Sequence, residues 1–388
     1  MAARIPLVLN SGKVEQLQSG DTISFVATII SDTTLYVATT GSDTTGDGSS
    51  GNPWATVAKA LVYLGDKWIG STTTVTILLA DGTYTVAPTI TVDHPCGSRI
   101  VISGTNTYSK TMSSVQSSSG STGAWSVVCN LNSVADIAVN DYVLVSAASG
   151  GDYPTTIIGC HKVTNVDTGN VRITIDLKSL YTSAPSAAVS ATVIVCKAVL
   201  SFGSTDGIAL ASSIGGINKL VLVGDYAASN SSISVNAGGV LFGVTQLGIT
   251  NWNVGFYCSN AGMAAAGLGG VHGLTISYCR SIGISLYFSA QARLLRNSIS
   301  GCTIAIYSAA GLGIFDSSVI SGCGDGVNAN VSSVLGCFGV TAKYNTGIGI
   351  YAVNMTYIIA SSSTVSNNGT DMSPAANTQG NNYSLIYV

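Results

Sequence analysis

Charge is nearly missing from this 388-residue chain: Asp, Glu, Lys and Arg together make up 9%, against ~25% in an ordinary soluble domain. Glutamate occurs once, at Glu15. Helix surfaces are built mainly from Glu, Lys and Ala. Their shortage, beside 45 Gly and abundant Ser, Thr, Val and Asn, points to a protein of strands and turns. The few Lys and Arg are scattered, and a net charge of -3 creates no field to draw nucleic acid or an anionic membrane. No stretch of ~18 uninterrupted apolar residues exists; the nearest, Ala191–Phe202, contains Lys197. A mean hydropathy of +0.44 must therefore be hidden inside a fold or between subunits. No C-x-x-C pair occurs among the nine cysteines, which argues against zinc ribbons and dithiol redox motifs. His94, His161 and His272 stand apart from one another and from other ligand types. Each is read as structural, with no metal site and no cofactor expected. The opening "MAARIPLVLN" has too short an apolar run for a signal peptide, so Sec export is not expected.

What the chain does contain is a repeat. The tetrapeptide ISGC stands at Ile299–Cys302 and again at Ile320–Cys323. Aligning on it adds Ile249-Thr-Asn-Trp252 and Ile276-Ser-Tyr-Cys279, with starts 27, 23 and 21 residues apart and weaker echoes near Val340 and Val365. A period in the low twenties is one supersecondary unit that cannot bury its own apolar face and must stack on copies of itself. A second element travels with the first: Gly255-Phe-Tyr257, Gly283-Ile-Ser285, Ala305-Ile-Tyr307, Gly326-Val-Asn328 and Gly349-Ile-Tyr351. Strand alternation sends Phe256, Ile284, Ile306, Val327 and Ile350 inward, and Tyr257, Ser285, Tyr307, Asn328 and Tyr351 outward. The expected architecture is a right-handed parallel β-helix, with Gly and Asn supplying positive φ at its corners. Cys279, Cys302 and Cys323 then form an inward column. Their spacing permits cross-links, but they are read as free thiols.

The N-terminal part differs. "LYVATTGSDTTGDGSSGNPWATVAKALVYLGDKWIG" places a polar loop before an amphipathic helix expected over Ala55–Trp68, with Val57, Leu61, Leu64 and Trp68 on its apolar stripe. The strand pattern "TVTILLADGTYTV" follows. This stretch resembles the opening of pectate-lyase-like β-helix proteins. The resemblance implies that the helix plugs the end of the stack and that Asp81–Tyr84 is a turn of the first coil. A plug is needed because an uncovered coil exposes both core and strand edge. The loop also spells Gly46-x-Gly48-x-x-Gly51, but it follows no hydrophobic strand and lacks the distant acidic partner, so nucleotide binding is not expected. Upstream, Arg4–Ile23 resembles the short N-terminal segment of bacteriophage tail fibre and tail spike proteins. Between the two halves, about Gly123–Val199 reads as antiparallel strands with polar turns near Val139 and Val166. It resembles the small β-barrel insertion of some phage spikes, with low-complexity loops on its flanks. The resulting division is 1–35 attachment segment, 36–122 capping helix and first coils, 123–199 insertion, 200–370 coils and 371–388 tail.

Catalytic chemistry is sparse. Phage β-helix spikes are frequently polysaccharide depolymerases, and glycoside hydrolysis needs two carboxylates ~5–9.5 Å apart. In the coils only Asp316 and Asp325 lie close in sequence, with Arg296 among the nearby arginines. Asp316 and Arg296 read better as a corner ion pair, and Asp325 as a turn residue between glycines. The pectate lyase calcium and arginine site has no counterpart. The outward column Tyr257, Ser285, Tyr307, Asn328, Tyr351 suits sugar rings, or a subunit interface, where tyrosine is also favoured. The resemblance implies a homotrimeric virion protein of tail fibre or spike type, made in the host cytoplasm and assembled on the particle. It would be joined to tail or baseplate proteins through its N-terminal segment and directed at host surface polysaccharide, with no membrane insertion. The alternatives are a depolymerase on the same scaffold and, less well matched, a bacterial surface adhesin.

Overall fold

The computed structural model describes residues 7–10, 13–16, 27–150, 154–183, 189–226, 228–266, 273–377, 379 and 384–388. Strand accounts for 58% and helix for 4%, and the strands climb as a parallel β-helix of about 12 turns. Through the second half each coil has three sides. One coil runs Val319–Ser321 on the first side, Asp325–Asn330 on the second and Val334–Phe338 on the third. Each strand pairs in parallel with its equivalent one coil away. In Leu274–Tyr287 the first two sides form one bent strand.

The inward ladder lies in the register that the repeat implies. Phe256 pairs with Ile284, Ile284 with Ile306, Ile306 with Val327 and Val327 with Ile350, and all five are fully buried. Burying one such side chain is worth roughly 1.5–3 kcal/mol, so the stack gains core with every coil. On the first side Ile249, Ile276, Ile299 and Ile320 stack likewise. All nine cysteines are buried free thiols. Burial pushes the thiols of Cys302 and Cys323 well above their ordinary range. Beyond Cys323 the column changes chemistry. Asn345 is buried, accepts the Cys323 N–H at 3.1 Å and donates from Nδ2 to Asn368 Oδ1 at 2.9 Å. An amide pays for burial only by saturating its donors and acceptors.

Thr107–Ser121, Ala124–Leu131, Arg172–Leu177, Gly159–Asp167, Tyr142–Ser149 and Ser190–Cys196 close, in that spatial order, into an antiparallel barrel around its own core. The stretch Ser113–Gly123, expected as loop, is largely barrel strand, pairing Ser117–Ser121 with 124–128. Serine and glycine carry no strong strand signal, but the partner strand supplies the hydrogen bonds. Val199 belongs to the coil strand Ala198–Phe202.

The helix is shorter than expected, Val57–Leu64. Thr56 caps it by accepting the Lys59 N–H at 3.1 Å, while Asp43 accepts from Ala55 N, Thr56 N and Thr56 Oγ1 at 2.9, 3.1 and 2.7 Å. Trp68 lies on the strand Lys67–Ile69, paired with Ala27–Ile29, rather than on the helix stripe. Strand pairing outweighs one further helical turn there, because Gly65 already ends the helix by donating to the carbonyls of Leu61 and Val62. Val57, Ala60 and Leu64 are buried in the main core. His94 Nε2 lies 3.0 and 3.1 Å from the carbonyls of Leu64 and Lys67, a structural post at the helix end.

A strand, Thr33–Val37, does precede the glycine-rich loop. The loop's glycines nonetheless serve packing: a Cβ on Gly48, at φ 79°, would sit 2.7 Å from the Trp54 ring, and Trp54 Nε1 donates to the Gly46 carbonyl at 2.9 Å. At the far end Leu385–Tyr387 adds the last parallel strand of the third side, against Tyr357–Ile359. Of the segment Arg4–Ile23 only the antiparallel pair Leu7–Asn10 and Lys13–Gln16 is described. His272 lies outside the described residues.

Candidate functional site

The three sides of the prism carry different chemistry. On the first, every letter of ISGC has a distinct use. Isoleucine faces the core, and cysteine stacks there. Serine faces out, where the barrel docks. Ser277 Oγ donates to the Cys160 carbonyl and accepts its N–H at 3.2 Å, Ser300 Oγ donates to the Ile158 carbonyl at 2.5 Å, and Thr155 Oγ1 donates to Ser321 Oγ at 3.0 Å. Glycine turns the corner with φ of 63° at Gly301 and 66° at Gly322. A Cβ at these two positions would strike the Lys178 carbonyl and Ser179 Oγ respectively. Gly159, at φ 132°, opens the barrel side of the same contact, where a Cβ would meet Ser300 Oγ at 2.5 Å. The first side is therefore occupied by the chain itself.

The second side presents the outward column. Tyr257 pairs with Ser285, Ser285 with Tyr307, Tyr307 with Asn328 and Asn328 with Tyr351. Ser285 is buried, and its hydroxyl has no hydrogen-bond partner among the described residues. Tyr257 and Tyr307 flank it on the adjacent coils, and the Tyr287 ring centroid lies 5.9 Å from that of Tyr257 and 5.4 Å from that of Tyr307, with Phe288 at 5.8 Å. Burial, followed by the neighbouring Tyr307, pushes the Tyr287 hydroxyl up to about 12. Tyr287 is the residue that reading the repeat missed. Carrying strand alternation two places beyond Ser285 finds it, since Tyr287 faces outward on the same strand. The result is an aromatic strip, interrupted by Ser285 and Asn328, running up the coils at ~4.8 Å per step.

The candidate acid–base residues hold corners. Asp316 ends the third-side strand Leu312–Asp316. Its carboxylate accepts from Ser317 Oγ at 2.7 Å, and its carbonyl accepts the Arg296 N–H at 2.8 Å, placing the two residues on adjacent coils. Asp325 begins the second-side strand, and its Oδ1 accepts the Ile348 N–H of the next coil at 2.8 Å. The first-side strand Val319–Ser321 lies between the two carboxylates. Among the described residues no three His, Cys, Asp or Glu side chains gather as a metal-ligand set.

The third side is apolar on its outer face. A groove of about 620 Å³ runs along it, lined by residues that include Met263, Leu312, Ile314, Val334 and Phe338.

No family model matches the chain, and no curated protein matches it. Among solved structures it is similar to a glycoside hydrolase at 8% identity and a TM-score of 0.24, over 91% of this chain and 96% of that one. It is also similar to the Gp54 tailspike of Acinetobacter baumannii bacteriophage AP22, in complex with A. baumannii capsular saccharide. That match has 9% identity and a TM-score of 0.22, over 73% of this chain and 60% of that one. Likenesses this low assign neither activity nor ligand.

Proposed function

We propose that this chain is a virion structural protein of the tail fibre or tail spike kind. In this reading three copies assemble on the particle, the N-terminal segment joins the tail, and the second side of the β-helix engages a host surface polysaccharide. The observation that carries the reading is the register-matched column Tyr257, Ser285, Tyr307, Asn328, Tyr351, thickened by Tyr287. Flat rings along the column, with the Asn328 amide and the tyrosine hydroxyls beside them, offer stacking faces and hydrogen bonds without charge. The weakly charged chain, with a formal net charge of -3, matches a neutral or mildly charged glycan better than a polyanion.

The test is calorimetric titration of the full chain with purified host capsular or lipopolysaccharide fragments. Tyr287→Ala combined with Tyr307→Ala is expected to weaken binding about tenfold, the equivalent of ~1.4 kcal/mol, while the melting curve keeps its shape. Equal affinity for wild type and variant overturns the reading. Following reducing ends and unsaturated uronates in the same mixtures separates a binder from a depolymerase. The presence of the chain in purified particles separates a virion protein from an adhesin.

A further inference from the structure

We infer that the outer face of the third side is where copies of this chain meet one another. The inference rests on the spike reading for the number of copies and on the structure for the face. Met263, Leu312, Ile314, Val334, Phe338 and Tyr357 point outward there and are 36–49% exposed. With ~150–250 Å² for a large apolar side chain, they leave on the order of 400–600 Å² of apolar surface in one band. Monomers rarely show more. A standard interface takes ~800 Å² from each partner, a little over half of it apolar, so this band is about the size that one contact consumes.

The occupant is a second copy for two reasons. The band repeats with the coil: Leu312 pairs with Val334, and Val334 with Tyr357, one column climbing at strand spacing. A partner must present apolar groups at the same rise to fill it, and another β-helix of this sequence does so at every coil. The charges also balance. The eight strands of this side contain one cation, Arg293, and one anion, Asp316, on neighbouring coils that pair Leu295 with Asp316. Parallel copies at equal height bring the Asp316 margin of one face beside the Arg293 column of the next, so a ring of identical chains neutralises itself. The barrel, held on the first side through Ser277, Ser300 and Ser321, leaves this face and the tyrosine column clear among the described residues. The assembly that results hides the greasy side and displays the aromatic one.

The experiment is light scattering of the full chain at micromolar concentration, with far-UV circular dichroism as the fold control. Wild type is expected at three times the 39.3 kDa chain mass, and Leu312→Glu with Val334→Glu at the mass of one chain with an unchanged spectrum. Arg293→Asp is expected to dissociate the assembly, and adding Asp316→Arg to restore it. That charge swap keeps the test decisive if the double glutamate variant does not fold. A monomeric wild type overturns the inference, as does an assembly indifferent to both sets of substitutions. Glycan titration on the same samples reports separately on the spike reading: a monomer that binds glycan sinks only the interface, and an assembly that ignores glycan sinks only the reading.

Discussion

Ser300 Oγ donates a hydrogen bond to the carbonyl of Ile158 at 2.5 Å, across 142 positions of sequence. This contact ties the barrel to the coil stack and explains why a serine recurs in the repeat. A larger side chain at 277, 300 or 321 would hold the barrel off the prism, and an apolar one would give up the hydrogen bonds to the carbonyls of Cys160 and Ile158 or to the Thr155 hydroxyl.

Corner glycines are the first test of that arrangement. Gly301→Ala adds a Cβ at φ 63° against the Lys178 carbonyl and is expected to lower stability by ~2 kcal/mol or more, since left-handed backbone alone costs ~1 kcal/mol. Gly51→Ala meets nothing within 4 Å and is expected to stay within ~0.5 kcal/mol of wild type. Urea midpoints compare the two, and equal midpoints refute the corner argument.

Ladder positions should divide by side. Ile306→Ala empties a fully buried site and is expected to cost ~2–5 kcal/mol. Tyr307→Ala, its outward neighbour, is expected to cost under ~1 kcal/mol while weakening glycan binding. The same thermal melts and titrations read both. A larger stability loss at Tyr307 than at Ile306 contradicts the inward and outward assignment.

The buried thiols make the fold sensitive to alkali. Burial raises Cys129, Cys196 and Cys337 to about 12, while in the unfolded chain a thiol loses its proton near ~8.5. Their contribution is complete below pH ~8.5 and is lost as pH climbs toward 12, because only the unfolded state releases protons in that window. Each thiol contributes at most about 1.4 kcal/mol per pH unit. Melting temperature is expected to hold from pH 7 to 8 and fall above 9, less steeply in Cys129→Ala combined with Cys337→Ala. Parallel slopes in wild type and variant refute this.

His161 works at the other end of the scale. Burial lowers its pKa, although the carbonyls of Ile157 and Ile158 lie 2.9 and 3.2 Å from Nε2. A depressed folded pKa means stability present above ~6.5 and lost as pH falls, when the unfolded chain takes up the proton first. His161→Gln is expected to flatten the loss of stability between pH 6.5 and 5. An unaltered pH profile argues against it.

Much of this was legible one-dimensionally. Period and alternation together identify which side chains face in, because a stacked coil repeats its environment every turn and a strand reverses it every residue. Hence Phe256, Ile284, Ile306, Val327 and Ile350 were found from letters alone, and Tyr257 and Tyr307 with them. Tyr287 lay within reach of the same rule. The helix end was not legible, since Lys67–Ile69 pairs with Ala27–Ile29 some way back along the chain, and the Ser113–Gly123 strand was not, since serine and glycine carry no strand signal even with the partner strand next in sequence.

Sequence by itself determined the β-helix, its inward columns and its free, buried cysteines, because those follow from local periodicity and from side-chain size. Only the tertiary structure decided what each outer side is for. It placed the barrel on the serine track and gathered Tyr287 against Tyr257 and Tyr307. Among the described residues it also left the third side bare and greasy. Outward residues share one pattern in the chain, and their roles differ only by what the fold sets against them.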